Sequence, residues 1–193
     1  ADLRAYWGKA DITNDGVPGT QSIKGESRVG ASLATHRPAY LLILYGTNDW
    51  NDGRCRNEFP CFTVTALRSM VLQARDAGAF PIVGTIPPVN PIYADRDAVA
   101  RNDWVSRMND LVRTMARQER APIAEIHSTV PDLPVIALIE SALGLRNLEV
   151  IAAAGIARLL EKRLGDTPHI LDVGCGGGIY SLTVATRLPG SRV

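Results

Sequence analysis

The chain has 193 residues, 46% of them hydrophobic and 21% charged, which suits one domain with room for an appended unit and excludes disordered and fibrous classes. Lysines and arginines (21) nearly balance aspartates and glutamates (20), and no basic stripe alternates with aromatics, so no nucleic-acid partner is expected. No apolar run reaches the roughly 18 residues that a bilayer span needs, and Ala1 to Trp7 lacks a signal-peptide layout.

In chain order, Ile12-Thr13 reads as a short strand running into the turn Asn14 to Gly19, after which Ile23, Val29 and Leu33 mark a helix. Ala39 to Tyr45, bounded by Pro38 and Gly46, is an unbroken apolar run, the mark of a strand buried on both faces. The turn-rich segment Asp52 to Cys61 holds two of the three cysteines. Cys55 and Cys61 either close a small surface disulfide in an oxidising compartment or remain unpaired loop thiols. No other Cys or His pair has zinc-ligand spacing.

Val64, Leu67, Val71 and Ala74 form a predicted helix capped at Thr63, and Phe80 to Ile86 a second core strand. A helix carrying Val105, Met108, Val112 and Met115 follows, then a strand over Pro122 to Ile126. Leu148, Ile151, Ala152, Leu159 and Leu160 mark a helix ended by Gly165. The strand His169 to Val173 runs into Gly174 to Gly178, and Ile179, Leu182, Ala185 and Leu188 suit a last helix. The alternation predicts an α/β fold, a doubly wound, mostly parallel three-layer sheet with its ligand site beyond the carboxyl ends of the strands.

Two strand-end loops carry groups suited to acyl chemistry. Gly46-Thr47-Asn48-Asp49 follows a buried strand, which sets the Asn48 amide at the strand's carboxyl edge as a donor to a developing oxyanion. Gly19, in a turn leading into a helix, adds a backbone N–H. An isolated Asn-Asp pair after a strand is also read as an Asx turn or a helix cap; the order and separation of the two loops favour the catalytic reading.

With these residues the sequence resembles the SGNH (GDSL) ester hydrolases, whose second and third conserved blocks look like Asn14 to Thr20 and Gly46 to Asp49. The likeness continues through Ile86-Pro87-Pro88-Val89-Asn90 and Glu125-Ile126-His127-Ser128 and covers about residues 11–130. It implies a flavodoxin-like SGNH fold, a small-molecule ester substrate, no cofactor, and Gly19 and Asn48 as the oxyanion donors. It also implies a serine nucleophile in a Gly-Asp-Ser block on a first strand ahead of Asn14, and an Asp-x-x-His after the last strand. None of the thirteen residues before Asn14 is serine, and the gap-free positions for the acid and base fall on Ile139 and Ala142. Nucleophile and base are therefore expected to be absent, and covalent acyl transfer lost. His127 with Asp132 is the alternative pair, set against a structural histidine at a strand end. Ser22 and Ser128 read as helix-cap or turn residues.

Asp172-Val173-Gly174-Cys175-Gly176-Gly177-Gly178 lies between a strand and a helix, the setting in which a glycine loop lets backbone approach a ligand closely. It is similar to motif I of class I S-adenosylmethionine-dependent methyltransferases. That resemblance implies S-adenosylmethionine as cofactor, contacted by Asp172, Gly174, Gly176 and Gly178, with Cys175 a small filler. The chain so divides into an SGNH hydrolase-like domain over 1–134 and a helical segment with the first strand-loop-helix of a methyltransferase-like domain over 135–193, each expected to be incomplete. The cysteine loop suits an exported or periplasmic hydrolase and the glycine loop a cytoplasmic transferase. A non-catalytic α/β module is the third reading. Oligomeric state is not legible. The absent first strand belongs between the Ile12 and Leu42 strands, and His169 to Val173 is the segment expected to fill its slot.

Overall fold

In the computed structural model, residues 11–89, 97–129 and 169–172 are described. Strand β1 (Asp11–Asn14) leads to helix α1 (Ser22–His36) and strand β2 (Tyr40–Ile43). Beyond a 3₁₀ turn (Asp49–Asn51) come a short helix α2 (Gly53–Asn57), helix α3 (Thr63–Asp76) and strand β3 (Phe80–Gly84). The long helix α4 (Ala98–Gln118) precedes β4 (Ile123–Ala124) and the single turn α5 (Ile126–Thr129); β5 is His169–Asp172. The helix expected around Leu148 to Leu160 and the one after Gly178 lie outside the described residues.

The five described strands all run parallel in the order β1-β5-β2-β3-β4. The slot predicted for His169 to Val173 is the one β5 occupies: Leu171 stands opposite Thr13 of β1 and Leu41 of β2. The strands from β1 through β4 advance in one direction across the sheet, and successive crossovers of one hand then keep their helices on one face. Val29 and Leu33 of α1, Leu67, Met70 and Val71 of α3, and Met108, Val112 and Met115 of α4 accordingly form one cluster against Leu41, Ile43, Tyr45 and Val83. Each such fully buried side chain contributes about 2 kcal/mol. The alternate residues Leu42, Leu44 and Ile82 are buried too, as the unbroken apolar run requires.

Four local expectations are corrected. The last predicted strand shortens to two residues because Ile126 opens α5. The segment read as turns between Asp52 and Cys61 contains α2, too short to show periodicity; of the two readings of its cysteines, the Cys55–Cys61 disulfide is the one present. That disulfide is not a surface feature at the Cys55 end, since Cys55 is fully buried. Helix α3 begins after Phe62, which is in helical conformation with no side-chain cap, and the Thr63 hydroxyl goes elsewhere. Helix α1 stops before Pro38: Arg37 turns left-handed at φ 46° and its N–H reaches the Leu33 carbonyl. No described helix is long and apolar enough to cross a membrane.

Because β5 has neighbours on both sides, a proline within it removes a ladder hydrogen bond from the middle of the sheet. Leu171→Pro is expected to lower the melting temperature by about 5 °C or more; an unchanged thermal transition would mean that β5 does not belong between β1 and β2.

Candidate active site

Counted with β5 as the first strand, the order becomes 2-1-3-4-5, that of flavodoxin-like sheets, whose ligand crevice opens outside the carboxyl ends of strands at the switch point. In that counting the corresponding point lies between β5 and β2. Asp172, at the end of β5, stands in register with Asn14 of β1 and Leu42 of β2. The loops after β1 and β2, which carry Gly19 and Asn48, lie at this end of the sheet.

The Asp49 carboxylate is completely buried. Its Oδ1 accepts from the Ser22 N–H at 2.8 Å, and its Oδ2 from the hydroxyls of Ser22 at 2.6 Å and Thr63 at 2.7 Å. Ser22 and Thr63 are the first residues of α1 and α3. One carboxylate thus serves two helix N-termini, where unpaired N–H groups and the helix dipole favour negative charge. Ser22 is therefore not the helix cap that its sequence suggests; Gln21 occupies the cap position, without a side-chain bond. Nor is it a free hydroxyl, being fully buried. Cys61 Sγ packs 3.2 Å from the Thr63 hydroxyl, which joins the disulfide to this cluster. Asp52 caps α2 through the Arg54 N–H and accepts from the Gln21 amide, and the Arg54 side chain beside it holds its carboxyl at a pKa of about 2.

Asn48 occupies the position before the 3₁₀ turn but its side chain caps nothing. Its Nδ2 instead donates to the Thr20 carbonyl at 3.3 Å, which brings the Asn48 amide against the loop that holds Gly19. That loop closes as a turn from the Val17 carbonyl to the Thr20 N–H, with Pro18 and Gly19 in the middle and Gly19 at φ +74°, the residue pattern of a type II turn. The Gly19 N–H and the second Asn48 amide hydrogen have no partner among the described residues. The structure so brings the two predicted donors onto adjacent loops. Gly46, which starts the Asn48 loop, has φ +119°, and a β-carbon there would come within 2.4 Å of the Ile86 side chain, so both conformation and space demand glycine.

Helix α4 supplies groups that the sequence reading did not single out. Asn109 is fully buried and accepts from the Ile86 N–H at 2.7 Å while donating to the Ile86 carbonyl at 2.9 Å. Two turns earlier, Asn102 makes the same pair of bonds to Val89, at 2.8 and 3.0 Å. The Arg101 guanidinium donates to the Thr47 carbonyl at 2.7 Å. Trp104 meets Trp50 edge to face, and Arg107 lies over the Phe59 ring. One helix face therefore grips the loops that follow β2 and β3. The i, i+7 spacing of the two asparagines was the available signal, hidden by their resemblance to ordinary exposed helix residues.

His127 lies in α5 beyond β4, two strands from β2. Its N–H donates to the Thr85 hydroxyl at 2.9 Å. Burial, and then the Arg113 charge, hold its imidazole pKa below the ordinary value, with Glu125 and Asp110 opposing in part. Asp132 lies outside the described residues, and among the described residues no serine hydroxyl is hydrogen-bonded to a histidine. Ser128 donates to the Glu125 carbonyl, as a turn residue does. Of the glycine-loop residues, Asp172 closes β5, while Gly174, Gly176 and Gly178 lie outside the described residues. Among the described residues no group of acidic, histidine or cysteine side chains is placed to hold a metal ion.

Asp49→Ala leaves three buried donors without an acceptor and is expected to destabilise the fold by about 3 kcal/mol; urea denaturation checks this, and a loss under about 1 kcal/mol would mean the carboxylate does not hold the two helices. For His127, the unfolded chain takes up a proton near its ordinary pKa of 6.5 and the folded chain only at lower pH, so stability is full above that value and declines as pH falls below it. His127→Gln is expected to flatten the dependence of stability on pH between about 7 and 5, where the imidazole titrates; an identical pH profile in the variant would refute the assignment.

A family model described as the GDSL-like lipase/acylhydrolase family matches residues 1–135, ending before the glycine-rich stretch. Among solved structures, a GDSL-like lipase from Bacteroides thetaiotaomicron is similar, with 18% identity and a TM-score of 0.49 over 58% of this chain. The aligned part is 54% of that protein's chain, so this chain spans about half its length. No curated protein matches. With the family match extending over more than half of its residues, the chain belongs to the GDSL-like lipase/acylhydrolase family.

Proposed function

We propose that the chain acts on small-molecule esters, with the Gly19 N–H and the Asn48 side-chain amide stabilising the oxyanion that forms as the ester carbonyl becomes tetrahedral. The observation that carries this reading is the placement of the Asn48 amide: it sits where a side-chain cap would form, makes none, and lies against the Gly19 loop beside the sheet's switch point. Two preorganised donors on adjacent loops need no reorganisation as charge develops, which is the main source of such stabilisation. The substrate enters beyond the carboxyl ends of β5 and β2. The Cys55–Cys61 disulfide supports an oxidising, exported setting for this chemistry.

The described residues offer two oxyanion donors and no serine–histidine pair, and what they supply by themselves is expected to give slow catalysis. Hydrolases stripped of their triad retain roughly 10³–10⁴-fold over water from the oxyanion donors and binding. Hydrolysis of p-nitrophenyl butyrate is expected at that modest level and falls roughly 10²-fold in Asn48→Ala, with the thermal transition in place. Turnover indifferent to Asn48→Ala would overturn the reading. Folded protein without turnover would overturn it too, leaving a non-catalytic α/β module.

A further inference from the structure

We infer that Arg101 is a positioning residue for Asn48, acting through the backbone of the loop rather than on the ester. Its guanidinium reaches from the first turns of α4 to the Thr47 carbonyl, 54 residues away in sequence, at 2.7 Å. That distance is typical of a charge-assisted bond, about twice as strong as a neutral one. The carbonyl of Thr47 and the N–H of Asn48 belong to one planar peptide unit, so a bond that fixes the first also fixes the orientation of the residue bearing the amide.

The need for such an anchor follows from the loop itself. It starts at Gly46, held at φ +119°. On the far side Asp49 is locked by Ser22 and Thr63. Between them, the Asp49 N–H closes a turn onto the Gly46 carbonyl at 3.0 Å, the Asn51 N–H closes the 3₁₀ turn onto the Asn48 carbonyl, and the Asn48 amide makes the long 3.3 Å bond to the Thr20 carbonyl. These bonds shape the turn locally, and Arg101 ties its Thr47 carbonyl to α4, an anchor from outside the loop on the flank of Asn48 opposite Asp49. Neighbouring residues on α4 hold the guanidinium's base in place: Asn102 is bonded twice to Val89, and Trp104 packs on Trp50, one residue beyond Asp49. Misplacing an oxyanion donor by a fraction of an ångström costs rate without costing fold.

The catalytic consequence rests on the ester-hydrolase reading, whereas the positioning itself does not, and two readouts separate them. The first is the nitrogen-15 NMR signal of the Asn48 side-chain amide, assigned by its loss in Asn48→Ala. In Arg101→Ala this signal is expected to shift and broaden while the rest of the spectrum and the thermal transition stay close to those of the parent. In Arg101→Lys, which keeps a cationic donor on a flexible stem, it returns most of the way. The second readout is p-nitrophenyl butyrate turnover, expected to fall about 10-fold in kcat with KM unchanged in Arg101→Ala and to recover in Arg101→Lys. An Asn48 signal that ignores Arg101→Ala overturns the inference, whatever turnover does. A signal that moves and recovers in protein with no turnover supports the inference and overturns the hydrolase reading instead.

Discussion

A buried carboxylate organises the carboxyl end of this sheet. Taking a charge such as that of Asp49 out of water carries a penalty of several kcal/mol unless hydrogen bonds replace its hydration. Here they come from two directions at once, the N-terminal residues of α1 and of α3. The same three bonds therefore fix where two crossover helices begin, how the loop after β2 is folded, and where Asn48, one residue earlier, stands. The disulfide joins through Cys61 at the Thr63 hydroxyl. Removing the charge would release each of these together, which is why its neighbourhood contains small hydroxyl residues rather than hydrophobic ones.

A second layer of order comes from α4, which holds strand-end loops by their backbones. Asn102 and Asn109 each offer a donor and an acceptor to one residue of the chain after β3, as a neighbouring strand would. The loops of the crevice are thus built like parts of the sheet and not like free surface segments. Rigid supports of this kind suit a site whose chemistry depends on donors already in place when charge appears.

Much of the fold was legible because burial leaves a trace in composition. Apolar runs at Leu41 to Tyr45 and Ile82 to Ile86, and the helical spacing of Leu67, Val71, Met108 and Val112, all mark core positions. The nearness of the Gly19 and Asn48 loops was legible from the order of two short motifs. What stayed hidden were polar residues turned inward. Ser22 and Thr63 have the chemistry of caps, and nothing local says that an aspartate far along the chain will claim their hydroxyls. Asn102, Asn109 and Arg101 were not singled out because a helical wheel cannot show that a loop lies over them. Helix α2 is too short for any period to appear.

The place of β5 has a consequence for the order in which the protein assembles. Among the described strands, β1 has β5 as its only neighbour, and Asp11 pairs with a residue about 160 positions later in the chain. Strands β2, β3 and β4 can associate soon after synthesis, since short crossovers join them. Strand β1 must wait, its backbone unpaired and the flank of β2 open, until the segment around His169 has left the ribosome. For that interval the half-made sheet exposes a strand-shaped gap, and any extended peptide of suitable sequence competes for it with the chain's own late segment.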